Sequence, residues 1–96
     1  MMSDVDRRGE ISKIAEVLKA MGHPIRLRIM LELTGKCRYV RDIWEKLQLP
    51  QAVISQHLKI LKDHGVLEAR REGAKVCYLI TNSMIRDIVM ALEKNV

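Results

Sequence analysis

Gln51, Ala52, Ser55, Gln56 and Lys59 gather two amides, a hydroxyl and an ammonium at the start and on the outer side of one short stretch. An amide bonds an adenine edge through two contacts, and an ammonium reaches guanine or phosphate. The small side chains of Ala52 and Ser55 let a helix approach a groove closely. Ile54, Leu58 and Leu61 point the other way at helical spacing. The plain alternative is an ordinary solvated face. His57 lies beside the apolar stripe, where a core contact and a phosphate bond are both open. A second polar group, Arg70, Arg71 and Lys75, surrounds Gly73. Cations there add salt-dependent phosphate affinity rather than sequence choice. The third chemical pair is Cys37 and Cys77.

The elements that must position these groups follow from periodicity. Val40, Ile43, Trp44 and Leu47 fall at i, i+3, i+4 and i+7, one helical stripe. Gln48, Leu49 and Pro50 form a tight turn, with Pro50 expected in the first turn of the next helix. Two short helices across such a turn suggest a helix-turn-helix. Upstream, residues 1–9 are polar and expected to be flexible. A helix is predicted from Glu10, with Ile11, Ile14, Ala15, Leu18 and Met21 on one side and Gly22 as its stop. His23-Pro24 restarts the chain into a second helix. Its apolar side is Ile25, Ile29, Met30 and Leu33, its wet side Arg26, Arg28 and Glu32. Lys36–Tyr39 is expected to be briefly extended.

Downstream of Gly65 the period changes to two. Val66, Leu67 and Ala69, then Val76, Tyr78 and Ile80, predict a β-hairpin whose turn is residues 70–75. Thr81, Asn82 and Ser83 offer N-cap oxygens for a last helix over Ser83–Lys94. The order is helix, helix, helix-turn-helix, hairpin, helix. That is a mainly α fold of five helices with a β-hairpin wing, a winged helix-turn-helix in one domain spanning residues 1–96. A hairpin in this position carries Arg70, Arg71 and Lys75 to phosphates or the minor groove.

Composition sets bounds on the reading. The 96 residues include 17 Lys and Arg against 12 Asp and Glu, a net charge of +5. The bias is compatible with a polyanionic partner. There is no Phe, one Trp and two Tyr, which disfavours base-stacking modes of single-strand binding. Double-stranded RNA is disfavoured too, since its major groove is too narrow for a helix. A chain of this size buries about 60–65% of its unfolded surface, so a second copy would help. Two cysteines do not make a secreted disulfide scaffold. The start MMSDVDRRGE is polar, and no apolar run nears the roughly 18 residues needed to cross a bilayer. A cytoplasmic location without membrane contact is expected. No Ser–His–acid set and no Gly-rich phosphate loop is present, so no enzyme is expected.

The runs AMGHPIRLRIMLEL and VRDIWEKLQLPQAVISQHLKILKDHGVLEARREGAKVCYLI resemble the ArsR/SmtB family of winged-helix repressors. The likeness spans about Ile11 to Ile80. It rests on Gly22-His23-Pro24 with Arg26-Leu27, on Ser55-Gln56-His57-Leu58 and on Gly65-Val66-Leu67. It implies a homodimer through the first and last helices and operator DNA that an inducer releases. The sequence also departs from the family. Where many members carry a Cys-Val-Cys metal site, Tyr39, Val40 and Arg41 stand here. The last helix offers Asp87 and Glu93 but no His for a zinc site. Neither metal site is present, and no cofactor is expected. Ala52 and Val53 replace the commoner polar pair after Gln51.

Three readings remain open for the cysteines. In winged helices the segment after the second helix often pairs with the second hairpin strand, which would bring Cys37 near Cys77. The pair is then a thiol-reactive or redox sensor, two small hydrophobes, or part of a metal set with a distant His. His23 is expected as a cap or core residue and His64 as a helix-end residue. The expected function is a dimeric repressor on double-stranded DNA with a palindromic operator. The helix over residues 51–64 reads the major groove and the wing grips the backbone. The rival is a winged-helix assembly module that meets a protein instead.

Overall fold

A computed structural model describes residues 4–96. Among them the order is α1 (Asp4–Met21), α2 (Pro24–Glu32), β1 (Arg38–Tyr39), α3 (Val40–Leu47), α4 (Gln51–Asp63), β2 (Glu68–Glu72), β3 (Lys75–Leu79) and α5 (Ser83–Glu93). This is the five-helix winged helix-turn-helix. α1 starts at Asp4 rather than at Glu10, so residues 4–9 extend the helix. The expected flexible leader otherwise falls on residues 1–3, outside the described residues.

α2 begins as its sequence suggests. His23 is the N-cap, and its Nδ1 accepts from the Ile25 N–H at 3.1 Å. Pro24 follows, where a missing N–H costs nothing. Arg26 and Arg28 do more than face water. Arg26 donates to the Ala20 carbonyl at 3.1 Å, and Arg28 to the Leu47 carbonyl at 3.0 Å. Both acceptors sit in the last turns of helices, where carbonyls lack partners and a cation is favoured. The two arginines therefore pin the ends of α1 and α3 to α2.

The turn of the motif is built on Gln48, which takes φ 55°, the left-handed region. Its N–H reaches the Glu45 carbonyl at 3.3 Å, and the Leu49 N–H reaches that of Trp44 at 3.2 Å. Pro50 then stands at the N-cap of α4, one place earlier than the first-turn position expected. Its carbonyl accepts from Val53 and Ile54. His64 is the C-cap of α4, and its Nδ1 lies 2.8 Å from the Ile60 carbonyl. Gly65 follows with φ +72°, a conformation that side chains resist.

The sheet has strand order β1-β3-β2 and is antiparallel throughout. Glu68 to Glu72 pair with Leu79 to Lys75, leaving only Gly73 and Ala74 as the turn. Gly73 has φ +63°, the sign that a tight II′ hairpin turn demands at its first central residue. The turn is thus shorter than the residues 70–75 expected. Arg70 and Arg71 belong to β2 and Lys75 to β3. Every residue of β2 except Ala69 is exposed, so apolar alternation could not mark its extent.

The core is aliphatic. Ile29, Met30, Leu33, Ile43, Ile54, Leu58, Leu61, Ile85 and Val89 are each at most 1% exposed. Each contributes roughly 1.5–3 kcal/mol by leaving water. Truncating Leu61 to Ala would cost about 2–5 kcal/mol. α1 gives this core little beyond Val17, Ala20 and Met21. Its Ile11, Ile14 and Leu18 remain 59%, 36% and 45% exposed, as do Met84 at 37% and Met90 at 51% on α5. The radius of gyration is 14.4 Å, above the roughly 13 Å usual for a compact domain of this size.

Candidate nucleic-acid interface

The three buried residues of α4, Ile54, Leu58 and Leu61, hold the helix to the core by one side. The other side is free. Gln51, Ala52, Ser55, Gln56 and Lys59 are all exposed among the described residues. Lys59 Nζ meets Asp63 Oδ2 at 3.0 Å, one turn along. Both side chains are more than half exposed. An exposed pair of this kind is worth little and yields readily to a phosphate.

His57 is set apart from that face. It is half-buried, and its Nδ1 accepts from Arg26 Nε at 3.2 Å. Its ring lies against His23 with centroids 4.7 Å apart. Burial pushes the imidazole below the usual histidine range, and the charges of His23 and Arg26 push it the same way. The neighbours of the ring are thus the polar side chains of His23 and Arg26, not the aliphatic core. The imidazole braces α4 from behind.

The wing carries its cations in alternation. Side chains switch faces along a strand. With Arg70 opposite Cys77 and Arg71 opposite Val76, Arg70 and Lys75 share one face and Arg71 takes the other. Lys75 Nζ sits 5.1 Å from the centre of the Tyr39 ring, a cation–π distance. The Tyr39 hydroxyl donates to Glu72 Oε2 at 2.7 Å, and that bond to a carboxylate raises the phenol above its usual range. Neither Tyr39 nor Glu72 was legible as a site residue. Their meeting depends on β1 pairing with β3 and on the register of the hairpin.

Cys37 and Cys77 are joined in a disulfide, with Cα atoms 5.5 Å apart. The expected proximity of the two is what the structure has. Cys77 is 2% exposed. The bond ties the residue just before β1 to the middle of β3.

A polar helix face with a basic two-stranded wing beside it is the architecture of winged helix-turn-helix regulators. The family described as bacterial regulatory protein, arsR family, matches residues 23–69. The transcriptional repressor PagR of Bacillus anthracis is 40% identical over 80 residues, covering 82% of this chain and 80% of that protein. Its crystal structure superimposes with a TM-score of 0.83 at 37% identity, covering 88% of this chain and 98% of that one. The transcriptional repressor SmtB of Mycobacterium tuberculosis is 39% identical over 75 residues, or 78% of this chain. The match spans only 56% of that repressor's length. A homodimeric winged helix-turn-helix DNA-binding domain from Mycobacterium bovis has a TM-score of 0.82 at 28% identity, covering 96% of this chain and 84% of that one. This chain belongs to the arsR family of regulatory proteins. That family is one of transcriptional regulators, not of enzymes.

Proposed function

We propose that this chain is a sequence-specific transcriptional repressor that binds double-stranded DNA as a homodimer. One observation carries the reading. α4 buries Ile54, Leu58 and Leu61 to at most 1% exposure while leaving Gln51, Ser55, Gln56 and Lys59 in solvent. In this reading α4 lies in the major groove, with Gln51 and Gln56 reaching base edges. Arg70, Arg71 and Lys75 hold the sugar–phosphate backbone. The exposed apolar residues of α1 and α5 support pairing of two copies, as in the Mycobacterium bovis domain. Two copies related by a two-fold axis present their recognition helices about 34–36 Å apart to a palindrome. No helix among the described residues is long and apolar enough to cross a membrane. The place of action is the cytoplasm, where the DNA is.

The signal enters through Cys37 and Cys77. A peroxide accepts two electrons and two protons from the two thiols, forming the disulfide and two waters. A polysulfide is the alternative oxidant. Selection of bound duplexes from a random pool tests the function. A recovered palindrome supports the reading. Equal retention of all duplexes, or of none, overturns it, and a partner protein on the α4 face becomes the better account.

A further inference from the structure

Away from the α4 face, one cluster brings together ligands that no sequence spacing announces. Cys37, Glu72 and Cys77 place two sulfurs and a carboxylate oxygen within 4.8 Å of one another. Register explains the meeting. Tyr39 pairs with Cys77, and Glu72 pairs with Lys75. By strand alternation, residues 37, 39, 72, 75 and 77 share one face of the sheet. The three ligands thus come from three segments of chain. The carboxylate is also held, because Glu72 Oε2 accepts from the Tyr39 hydroxyl at 2.7 Å.

We infer that the reduced chain binds a thiophilic divalent cation, of the zinc or cadmium class, through Cys37, Cys77 and Glu72. The Tyr39 hydroxyl acts as a positioning group for the carboxylate. Tetrahedral ligands on metal–sulfur bonds of about 2.3 Å stand roughly 3.8 Å apart. Reduction frees the two bonded sulfurs to part to that spacing, while the Glu72 oxygen, within 4.8 Å of both, closes by up to about 1 Å. Three protein ligands leave the fourth position to water, the open form of a zinc site. Glu72 is exposed, so the ion enters from the solvent side. Lys75, on the same face, offsets the excess negative charge of two thiolates and a carboxylate.

The chemistry balances without a redox step at the metal. The cation displaces two thiol protons into solvent and gains two metal–sulfur bonds and one metal–oxygen bond. The disulfide form offers no thiolate and cannot take the ion. Opening it needs two electrons and two protons from small-molecule thiols, which leave as their own disulfide. Metal and disulfide are therefore exclusive occupants of one site. Its ligands differ from those of the two family sites, although Tyr39, which positions Glu72, stands where one of those sites has a cysteine. Its use as a signal rests on the proposed function, whereas ion binding does not.

Cobalt titration of the full chain, reduced beforehand with a phosphine, tests the inference. Thiolate-to-cobalt absorption saturating at one ion per chain is expected. It should vanish in Cys37→Ser and in the disulfide form. Glu72→Gln should weaken cobalt at least about tenfold, and Tyr39→Phe about tenfold. Both replaced side chains lie outside the aliphatic core, and unchanged thermal unfolding checks that each variant folds. Absence of the absorption in the reduced chain overturns the inference, as does undiminished affinity in Glu72→Gln. Duplex binding is measured separately. Cobalt binding without duplex binding sinks the repressor and spares the site, and the reverse spares the repressor and sinks the site.

Discussion

Arg26 donates from Nε to Nδ1 of His57 at 3.2 Å, and so locks α2 to the rear of α4. The bond requires a bare Nδ1, which a doubly protonated ring lacks. His57 is also held below the usual histidine range, first by burial and then by His23 and Arg26. An unfolded histidine titrates near about pH 6.5. Below that pH the unfolded chain takes a proton that the folded chain refuses. This contribution to stability is full above about pH 6.5 and falls as pH drops toward the folded pKa. The urea midpoint should be lower at about pH 5.5 than at about pH 7.5, and His57→Gln should shrink the difference. An equal drop in the variant would place the titrating group elsewhere.

The α4 face and the wing should separate cleanly by mutation. Gln56→Ala should cost about 1–3 kcal/mol on the preferred operator and relax the choice of base at one position. Arg71→Ala should weaken all duplexes alike and lower the slope of log affinity against log salt by about 1. Binding isotherms at several salt concentrations read both effects. Wild-type discrimination in Gln56→Ala would remove that side chain from base reading.

Pairing of two copies should depend on the free side of α1. Leu18 is 45% exposed in the single chain, so a charge there costs the isolated subunit little. Leu18→Glu should leave thermal unfolding of the subunit near wild type and shift sedimentation to monomer. Affinity for a palindrome should fall toward that for a half-site. A dimer that survives this change has its interface elsewhere.

Gln48 offers a gain rather than a loss. It holds a left-handed backbone at φ 55°, a conformation costing a side-chain-bearing residue roughly 1–2 kcal/mol. Gln48→Gly removes that cost and gives back part of it as unfolded-chain entropy. A net rise of about 0.5–1 kcal/mol, or roughly 2–8 °C in melting temperature, is expected. A fall in melting temperature would mean that the Gln48 side chain contributes more than its backbone costs.

Much of this was legible in the residues, for stated reasons. The Ile54, Leu58 and Leu61 stripe gave α4 and its free side together, because a helix buried by one face declares that face in its spacing. Gly22, Gly65 and Asn82 marked helix boundaries through capping chemistry that is local. Asn82 does cap α5, its Oδ1 accepting from the Ile85 N–H at 3.0 Å. The extent of β2 was hidden, since EARRE carries no apolar alternation and is strand only because β3 pairs with it. Arg26 and Arg28 read as solvent residues because the carbonyls they cap lie on other helices. Glu72 meets Cys37 only through two strand registers, and neither is written in a local pattern.

Tyr39 is the last residue of β1 and the N-cap of α3 at once. No slack chain separates the sheet from the reading head. Within one subunit, wing and reading helices travel together like a single caliper jaw. In the proposed dimer, a signal at the sheet has little room to bend that jaw, and the gauge left to adjust is the gap between the two jaws.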